Sequence, residues 1–327
     1  MMELFVDFSV VVPLYNEEEN VQLLYEEIKS VLSGMEARAE IVFVDDGSRD
    51  RTMERLEAIQ QQDQAVQVVS LRRNFGQTAA MSAGFDHARG AVIITMDGDL
   101  QNDPHDIPKM LAKLDEGYDV VTGWRFDRQD SFLSRKLPSK MANKLISSVT
   151  GVGLHDYGCT LKAFRREVIE NINLYGEMHR FIPAIASGMG ISFTEIKVNH
   201  RARRFGTSKY GISRTIRVVL DLITVKFLLS YATRPLHVFG TVGILSSGAG
   251  FLLALILVIQ RQFFGIALSD RPLLLLAVLL IFLGIQFITI GLLAELVVRT
   301  YHESQKKPIY FVRKVLAAPT QASTEQN

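Results

Sequence analysis

Three carboxylates fall within seven residues at the end of an apolar run. Ile93–Pro104 reads IITMDGDLQNDP and carries Asp97, Asp99 and Asp103. Like charges this close repel unless a cation sits among their oxygens. Asp97 and Asp99, with Gln101 nearby, can hold a hard divalent ion such as Mg2+ or Mn2+. Mg2+ keeps few protein carboxylates and takes other ligands from phosphates. A second acidic pair, Asp45 and Asp46 in VDDGSRD, can accept hydrogen bonds from a uracil-type base edge and ribose hydroxyls. A sugar nucleotide would bring both the base and the phosphates, and the metal would stabilise the departing nucleoside diphosphate as charge builds on it. A solvated acidic turn would show the same Asp-x-Asp, so the elements that position these residues have to decide.

Those elements alternate. Strand-like runs FSVVVPL (Phe8–Leu14), EIVFVDD (Glu40–Asp46), VQVVSL, AVIITMD and DVVTGW are separated by segments of helical periodicity, EEENVQLLYEEIKSVL, RDRTMERLEAIQQQ and QTAAMSAGFDHA. Buried strands alternating with helices predict βαβ units and a parallel sheet. Ligands bind such sheets beyond the carboxyl ends of the strands. The polar signals sit there: the first strand runs into PLYNEEEN, the second into DDGSRD, the fourth into DGDLQNDP. A dinucleotide oxidoreductase would carry G-x-G-x-x-G after the first strand. VVPLYNEEEN has no glycine, and no P-loop is present.

The net charge of +1 conceals an asymmetry, since residues 1–130 carry 25 acidic against 12 basic residues and residues 131–327 carry 10 against 24. The front half suits cations, and the back half suits anions or an anionic surface. Nothing points to nucleic acid. The single cysteine, Cys159, excludes an internal disulfide and reads as a small packed residue. The N-terminal stretch has no basic region before its apolar run, which Asp7 breaks and Pro13 ends. It does not read as a signal peptide, and the chain is expected to start in the cytoplasm.

Leu236–Ile259 has no Asp, Glu, Lys or Arg, and Pro272–Val298 has only Glu295. At 24 and 27 residues, both exceed the roughly 20 needed to cross a bilayer. The twelve residues between them make a hairpin. Basic residues cluster before the first span (Arg214, Arg217, Lys226, Arg234) and after the second (Arg299, Lys306, Lys307, Arg313, Lys314), against Arg261 and Arg271 in the loop. This predicts that the large N-terminal part and the C-terminal tail are cytoplasmic. The stretch ISRTIRVVLDLITVKFLLSYATRP has the polar arc of a helix lying in the membrane interface. The expected organisation is a domain over 1–210, juxtamembrane amphipathic helices over 211–234, a two-helix hairpin over 235–299 and a tail over 300–327. Gly240, Gly243, Ser246, Ser247, Gly248 and Gly250 would permit close helix contacts, either in a homo-oligomer or within the hairpin.

VVPLYNEEEN, VDDGSRD and MDGDLQNDP resemble the motifs of family 2 glycosyltransferases. GWRFDR, SRK, DYGCTLKAFRR, HRFIP and RRFGTSKY, followed by two spans, resemble its polyisoprenyl-phosphate branch, which includes dolichol-phosphate mannose synthases and bactoprenol glucosyltransferases. The resemblance runs to about Lys314. It implies an A-type glycosyltransferase fold, Rossmann-like with a mostly parallel sheet. It implies inverting transfer of a sugar from a nucleoside diphosphate to a polyprenyl phosphate. By the family's pattern Pro13, Tyr15, Glu17, Asp45 and Asp46 line the nucleotide pocket, and Asp97, Asp99 and Gln101 bind Mg2+ or Mn2+. Arg125, Arg135, Arg203 and Lys209 would hold phosphates of donor and acceptor. The pattern looks most like the bacterial bactoprenol glucosyltransferases, so the expected substrates are UDP-glucose and undecaprenyl phosphate; mannose, galactose or a modified aminosugar are the alternatives.

A phosphate monoester, with a second pKa of about 6, is already a charged nucleophile near neutral pH, so no general base is required. Asp156, in HDYGC, can orient acceptor or donor sugar, or serve as a cap. His155 and His179 read as structural or acceptor-loop residues, and Phe126–Lys136 as a segment that closes over substrate. A transporter would need a polar conduit that two such spans do not offer. A scaffold would not need the intact Asp97/Asp99 pair. A processive polysaccharide synthase would carry Gln-x-x-Arg-Trp and more spans.

Overall fold

The computed structural model describes residues 6–126, 146–147, 151–172, 178–187, 189–202, 235–265, 267, 272–304 and 310–317. Arg135, Arg203, Lys209, most of the Phe126–Lys136 segment and the amphipathic stretch before the first span lie outside them. The chain divides into two compact units, one of Met1–Val225 with Pro308–Asn327 and one of Lys226–Lys307.

In the first unit, β1 (Phe8–Leu14), β2 (Ala39–Asp45), β3 (Val66–Leu71), β4 (Val92–Thr95) and β5 (Val120–Trp124) run in one direction. α1 (Val21–Ser33), α2 (Thr52–Gln62), α3 (Gln77–His87) and α4 (Ile107–Asp115) follow the first four strands in turn. Val21, Leu24, Ile28 and Val31 form the buried stripe of α1. Val21, Leu24 and Ile28 join Val10, Val12, Phe43 and Val68 in a core that also takes Leu56 of α2 and Met110 of α4. Removing a side chain such as Leu24 or Ile28 from water contributes about 1.5–3 kcal/mol each. On α3 the residues against the sheet are small: Ala80, Ala83 and Gly84 are buried, and Gly84 abuts Val11 and Val44.

The sheet is mostly parallel, as the sequence predicts, and among the described residues it has eight strands in the order β7-β5-β6-β4-β1-β2-β3-β8. β6 (Lys162–Arg165) lies between β4 and β5, antiparallel to both. It leads directly into the short helix α5 (Arg166–Glu170). α6 (Ile182–Ser187) follows, and β7 (Phe193–Lys197) pairs parallel with β5 at one edge.

The first helix begins at Val21, not at Glu17, because the preceding tract is held elsewhere. Backbone N–H groups of Asn16, Glu17 and Glu18 donate to Ser48 Oγ (2.9 Å), Thr52 Oγ1 (2.8 Å) and Asp50 Oδ2 (3.1 Å). These bonds fasten the loop after β1 to the loop after β2.

In the second unit, α7 (Pro235–Phe264) and α8 (Pro272–Ser304) form an apolar pair. Phe239–Phe264 and Pro272–Ala294 are long and apolar enough to cross a membrane. Their outward side chains are exposed, Leu245 at 68 % and Phe282 at 69 %, which in water would be costly and in lipid is not. The helices approach through small residues: a Cβ on Gly243 would lie 2.6 Å from the Gly284 carbonyl, and one on Gly250 2.7 Å from that of Ala277. Ser246 Oγ donates to the Leu280 carbonyl at 2.9 Å. Gly243, Ser246 and Gly250 therefore serve the hairpin itself, whereas Gly248 has open space around it.

The tail after the second span does not stay outside the fold. β8 (Val312–Leu316) returns to the first unit and pairs antiparallel with β3 at the other edge of the sheet.

Candidate active site

The carboxyl ends of β1, β2, β4 and β5 open on one cavity of about 390 Å³. Pro13, Tyr15 and Glu17 come from the end of β1, Asp46 from β2, and Asp97, Asp99 and Gln101 from β4, with Arg125 facing them from β5. Eight of the predicted site residues thus share one wall system. Two of the backbone turns that place them are strained, with Asn16 at φ 54° and Leu100 at φ 61°. Left-handed backbone at a non-glycine residue persists only where its surroundings over-determine it.

Asp97 and Asp99 both face the cavity. Gln77 Nε2 donates to Asp97 Oδ1 at 2.7 Å, and the Gln101 amide N–H to Asp99 Oδ1 at 3.2 Å. The residues present fit a hard ion: two carboxylates beside an open cavity leave coordination positions for phosphate and water. Among the described residues no group of three or more His, Cys, Asp or Glu is placed to hold a metal ion together. Gln101 is partly committed, its side-chain amide reaching the Arg201 carbonyl at 3.3 Å.

Asp103, the third carboxylate of the stretch, is neutralised by protein groups. Arg201 reaches Asp103 at 2.9 Å and Glu27 at 2.6 Å. Burial works to raise the Asp103 pKa, but the His105 amide and ring and the Arg201 charge outweigh it and hold the carboxyl below its usual range. Asn102 is the stitch between strands. Its Oδ1 accepts the Asp97 amide at 2.9 Å and Thr160 Oγ1 at 3.1 Å, tying the β4 loop to the approach to β6.

The two carboxylates after β2 separate. Asp45, 2 % exposed, does not face the cavity; it accepts from the Ser48 amide (3.0 Å) and Ser70 Oγ (3.2 Å). Asp46 does face it, yet accepts from the amides of Phe75 (2.7 Å) and Gly76 (2.9 Å) and from Asn74 Nδ2 (2.9 Å). Burial pushes the Asp46 pKa up against the pull of those amides. With three of about four lone-pair positions filled, Asp46 chiefly shapes the loop after β3.

Asp156 also lies behind the cavity wall and pairs with Arg125. Burial alone would lower the Arg125 pKa, but the hydrogen bonds and charge of Asp156 dominate and raise it. Behind this pair is Lys162, only 2 % exposed, whose Nζ donates to the Tyr157 carbonyl at 3.4 Å. Burial, helped by Arg125 and Arg180, brings its pKa down to about 8. Cys159 is buried, as expected of a packed residue, and burial pushes its thiol up to about 11.

His155 stacks on Trp124 with centroids 4.2 Å apart and bonds Glu195, away from the cavity. His179 lines the cavity, its Nδ1 2.7 Å from Thr78 Oγ1. Sequence reasoning missed Asn74, Gln77, Thr160, Arg180 and His200, which line the cavity as well. The signal for the first two is positional: RRNFGQT follows the third strand as the other polar tracts follow theirs, but it carries no carboxylate. Arg180 stood in the quoted HRFIP motif.

Residues 9–172 match the family model described as Glycosyl transferase family 2. The chain is 45% identical over 321 residues to a dodecaprenyl-phosphate galacturonate synthase of Rhizobium johnstonii, covering 97% of this chain and 95% of that protein. It is 42% identical over 311 residues to an undecaprenyl-phosphate 4-deoxy-4-formamido-L-arabinose transferase of Proteus mirabilis, covering 94% of this chain and 93% of that protein. Among solved structures, glucosyl-3-phosphoglycerate synthase of Mycobacterium tuberculosis, in complex with Mn2+, UDP and glucosyl-3-phosphoglycerate, superposes with a TM-score of 0.53 at 18% identity. That match covers 68% of this chain and 80% of the other, and shows the shared A-type fold. The motifs, the sheet and the near full-length relatives agree: the chain belongs to glycosyltransferase family 2, in its polyisoprenyl-phosphate branch.

Proposed function

We propose that the protein transfers a sugar from a uridine diphosphate donor to a polyprenyl phosphate at the cytoplasmic face of the inner membrane. The observation that carries this reading is Asp97 and Asp99 facing Arg125 across one cavity, in a chain with two apolar helices long enough to span a bilayer. Asp97 and Asp99, with Gln101 beside them, would hold Mg2+ or Mn2+. That ion, when bound, would neutralise the leaving diphosphate. Pro13, Tyr15 and Glu17 bound the nucleotide end, and Asp46 keeps the neighbouring loop in place.

The acceptor phosphate is its own nucleophile. One of its oxygens forms the new bond to the anomeric carbon as the bond from that carbon to the diphosphate oxygen breaks, with inversion. Arg125, Arg135, Arg203 and Lys209 supply positive charge for the phosphates, the arginines through guanidinium forks with paired bonds and Lys209 as a point charge. Catalysis then rests on positioning and charge neutralisation. Asp156 acts by holding Arg125. The cytoplasmic orientation is supported by the basic residues flanking the spans.

Glucose, expected from the sequence pattern, has no counterpart in the two relatives' names. The 45% identity to the galacturonate synthase makes a hexuronate the first donor to test, ahead of glucose and an aminosugar. The experiment is transfer of radiolabelled sugar from a panel of UDP-sugars to undecaprenyl phosphate in detergent, with Mg2+ or Mn2+, beside Asp99→Ala. Organic-phase label from one donor, absent in the variant, supports the reading. No label from any donor, with folded protein, overturns it.

A further inference from the structure

We infer that Tyr310 and Phe311, which precede the last strand, are positioning residues of the donor pocket. The inference rests on the transferase reading above. β8 pairs with β3 through Val68↔Leu316, Val69↔Val315 and Ser70↔Lys314, and the register shifts between Ser70 and Leu71. Pairing then continues past the strand: the Arg72 amide donates to the Phe311 carbonyl at 2.9 Å. From there the segment grips both ends of one unit, the loop 72–76 and the helix α3 that follows it. At the loop, the Phe311 ring packs on Phe75 with centroids 6.1 Å apart, and the Arg73 guanidinium lies 4.3 Å from the Phe75 centroid. At the far end of α3, Tyr310 Oη donates to Asp86 Oδ2 at 2.6 Å.

This loop and helix are what the cavity depends on. Phe75 and Gly76 donate their amides to Asp46, and Gln77, the first residue of α3, donates to Asp97. Phe311 is thus two contacts away from one cavity carboxylate, and the unit it holds orients another. A strand that only covered a sheet edge would need backbone pairing and nothing more. Here the strand exposes Arg313, Lys314 and Val315, rests Leu316 on the core and pairs Lys314 with Glu57 of α2 at 3.0 Å, while the side-chain contacts that reach the loop 72–76 and α3 come from Tyr310 and Phe311, before it. Phe311 is itself 63 % exposed, so its removal leaves the core intact.

The test uses the full-length enzyme in detergent, with Phe311→Ala, Phe311→Tyr, Tyr310→Phe and the same-strand control Lys314→Ala. UDP affinity, KM for donor and acceptor, kcat and Tm are measured for each. Phe311→Ala is expected to weaken UDP binding and raise donor KM about threefold to tenfold, the size of one aromatic pair. Acceptor KM and saturating kcat stay within about twofold, and Phe311→Tyr restores the donor constants. Tyr310→Phe moves donor KM the same way; Lys314→Ala, which removes only an exposed ion pair to Glu57 of α2, leaves UDP affinity and donor KM unchanged. Variants with lower Tm but unchanged donor KM and UDP affinity would make the segment an edge cap and overturn the inference. So would a loss confined to kcat or to acceptor KM. Wild-type protein that binds no UDP would overturn the transferase reading itself, and the inference with it.

Discussion

Arg125 and Asp156 meet side by side, Nε to Oδ2 at 2.7 Å and Nη2 to Oδ1 at 2.9 Å, one at the cavity and the other behind it. Both are largely out of water, with side chains 15 % and 5 % exposed. Breaking such a pair from one side strands a buried charge and costs about 3–5 kcal/mol. Asp156→Asn is therefore expected to lower Tm and abolish transfer together. The double variant Arg125→Met with Asp156→Leu is expected to regain much of the Tm while staying inactive. Thermal unfolding alongside the transfer assay separates the two effects; a double variant no more stable than the single one would remove the ion pair from the explanation.

Metal binding is predicted to depend on Gln77 as well as on the acids. Gln77 orients Asp97 through a 2.7 Å bond, and losing an orienting partner of a ligand typically costs about tenfold or more in affinity. Mn2+ titration in the presence of UDP, followed by electron paramagnetic resonance, should show no tight site in Asp99→Ala. In Gln77→Leu the site should be about tenfold weaker. Chelator is expected to stop transfer in the wild type.

Gly47 holds φ at 68°, and a Cβ there would lie 2.5 Å from the Arg73 carbonyl carbon and 2.8 Å from the Asn74 nitrogen. Gly47→Ala must either distort its own turn or push the loop 72–76 aside. The turn strain alone costs about 1–2 kcal/mol. The expected outcome is a lower Tm together with a raised donor KM, read in the same two assays.

Acid should destabilise the protein partly through His179. Burial, with Arg180 and Lys162 nearby, holds its pKa well below 6.5 in the fold. Below that ordinary value the unfolded chain takes up a proton that the folded protein refuses, so stability falls as pH drops through 6.5 towards the depressed folded value. One such proton contributes a slope approaching about 1.4 kcal/mol per pH unit. His179→Gln should flatten the denaturation free energy between about pH 5 and pH 6.5 relative to wild type; an unchanged slope would place the titration elsewhere.

Where local pattern and tertiary environment agree, the fold was legible. Phe8–Leu14 and Val66–Leu71 are strands over those very residues, because their apolar β-branched runs end in sharp polar breaks. β6 hid because its first residue is a lysine, and a lysine 2 % exposed defeats any reading of burial from residue type. β8 hid because its five residues carry Arg313 and Lys314 between the apolar ones and show no clean alternation, and its partner β3 lies more than two hundred residues away in the chain. The site was legible where charge faces the cavity: Asp46, Asp97, Asp99 and Arg125 all do. Asp45 and Asp156 carry the same chemistry one layer back, a difference made by strand pleat and loop path. Asn74 and Gln77 escaped notice because neutral amides leave no mark on composition.

The antiparallel β6 has a consequence for how the enzyme can vary. β5 delivers Arg125 to the cavity, and β6, running the other way, must be entered from that same end of the sheet, beside Thr160. The stretch 126–161 therefore leaves from the cavity and returns to it, with both ends anchored there. Asp156, Tyr157, Cys159 and Leu161 at its returning end are buried and hold it to the fold, so that end cannot be exchanged cheaply, whereas an insertion earlier in the stretch would enter and leave at the cavity without shifting the register of any strand.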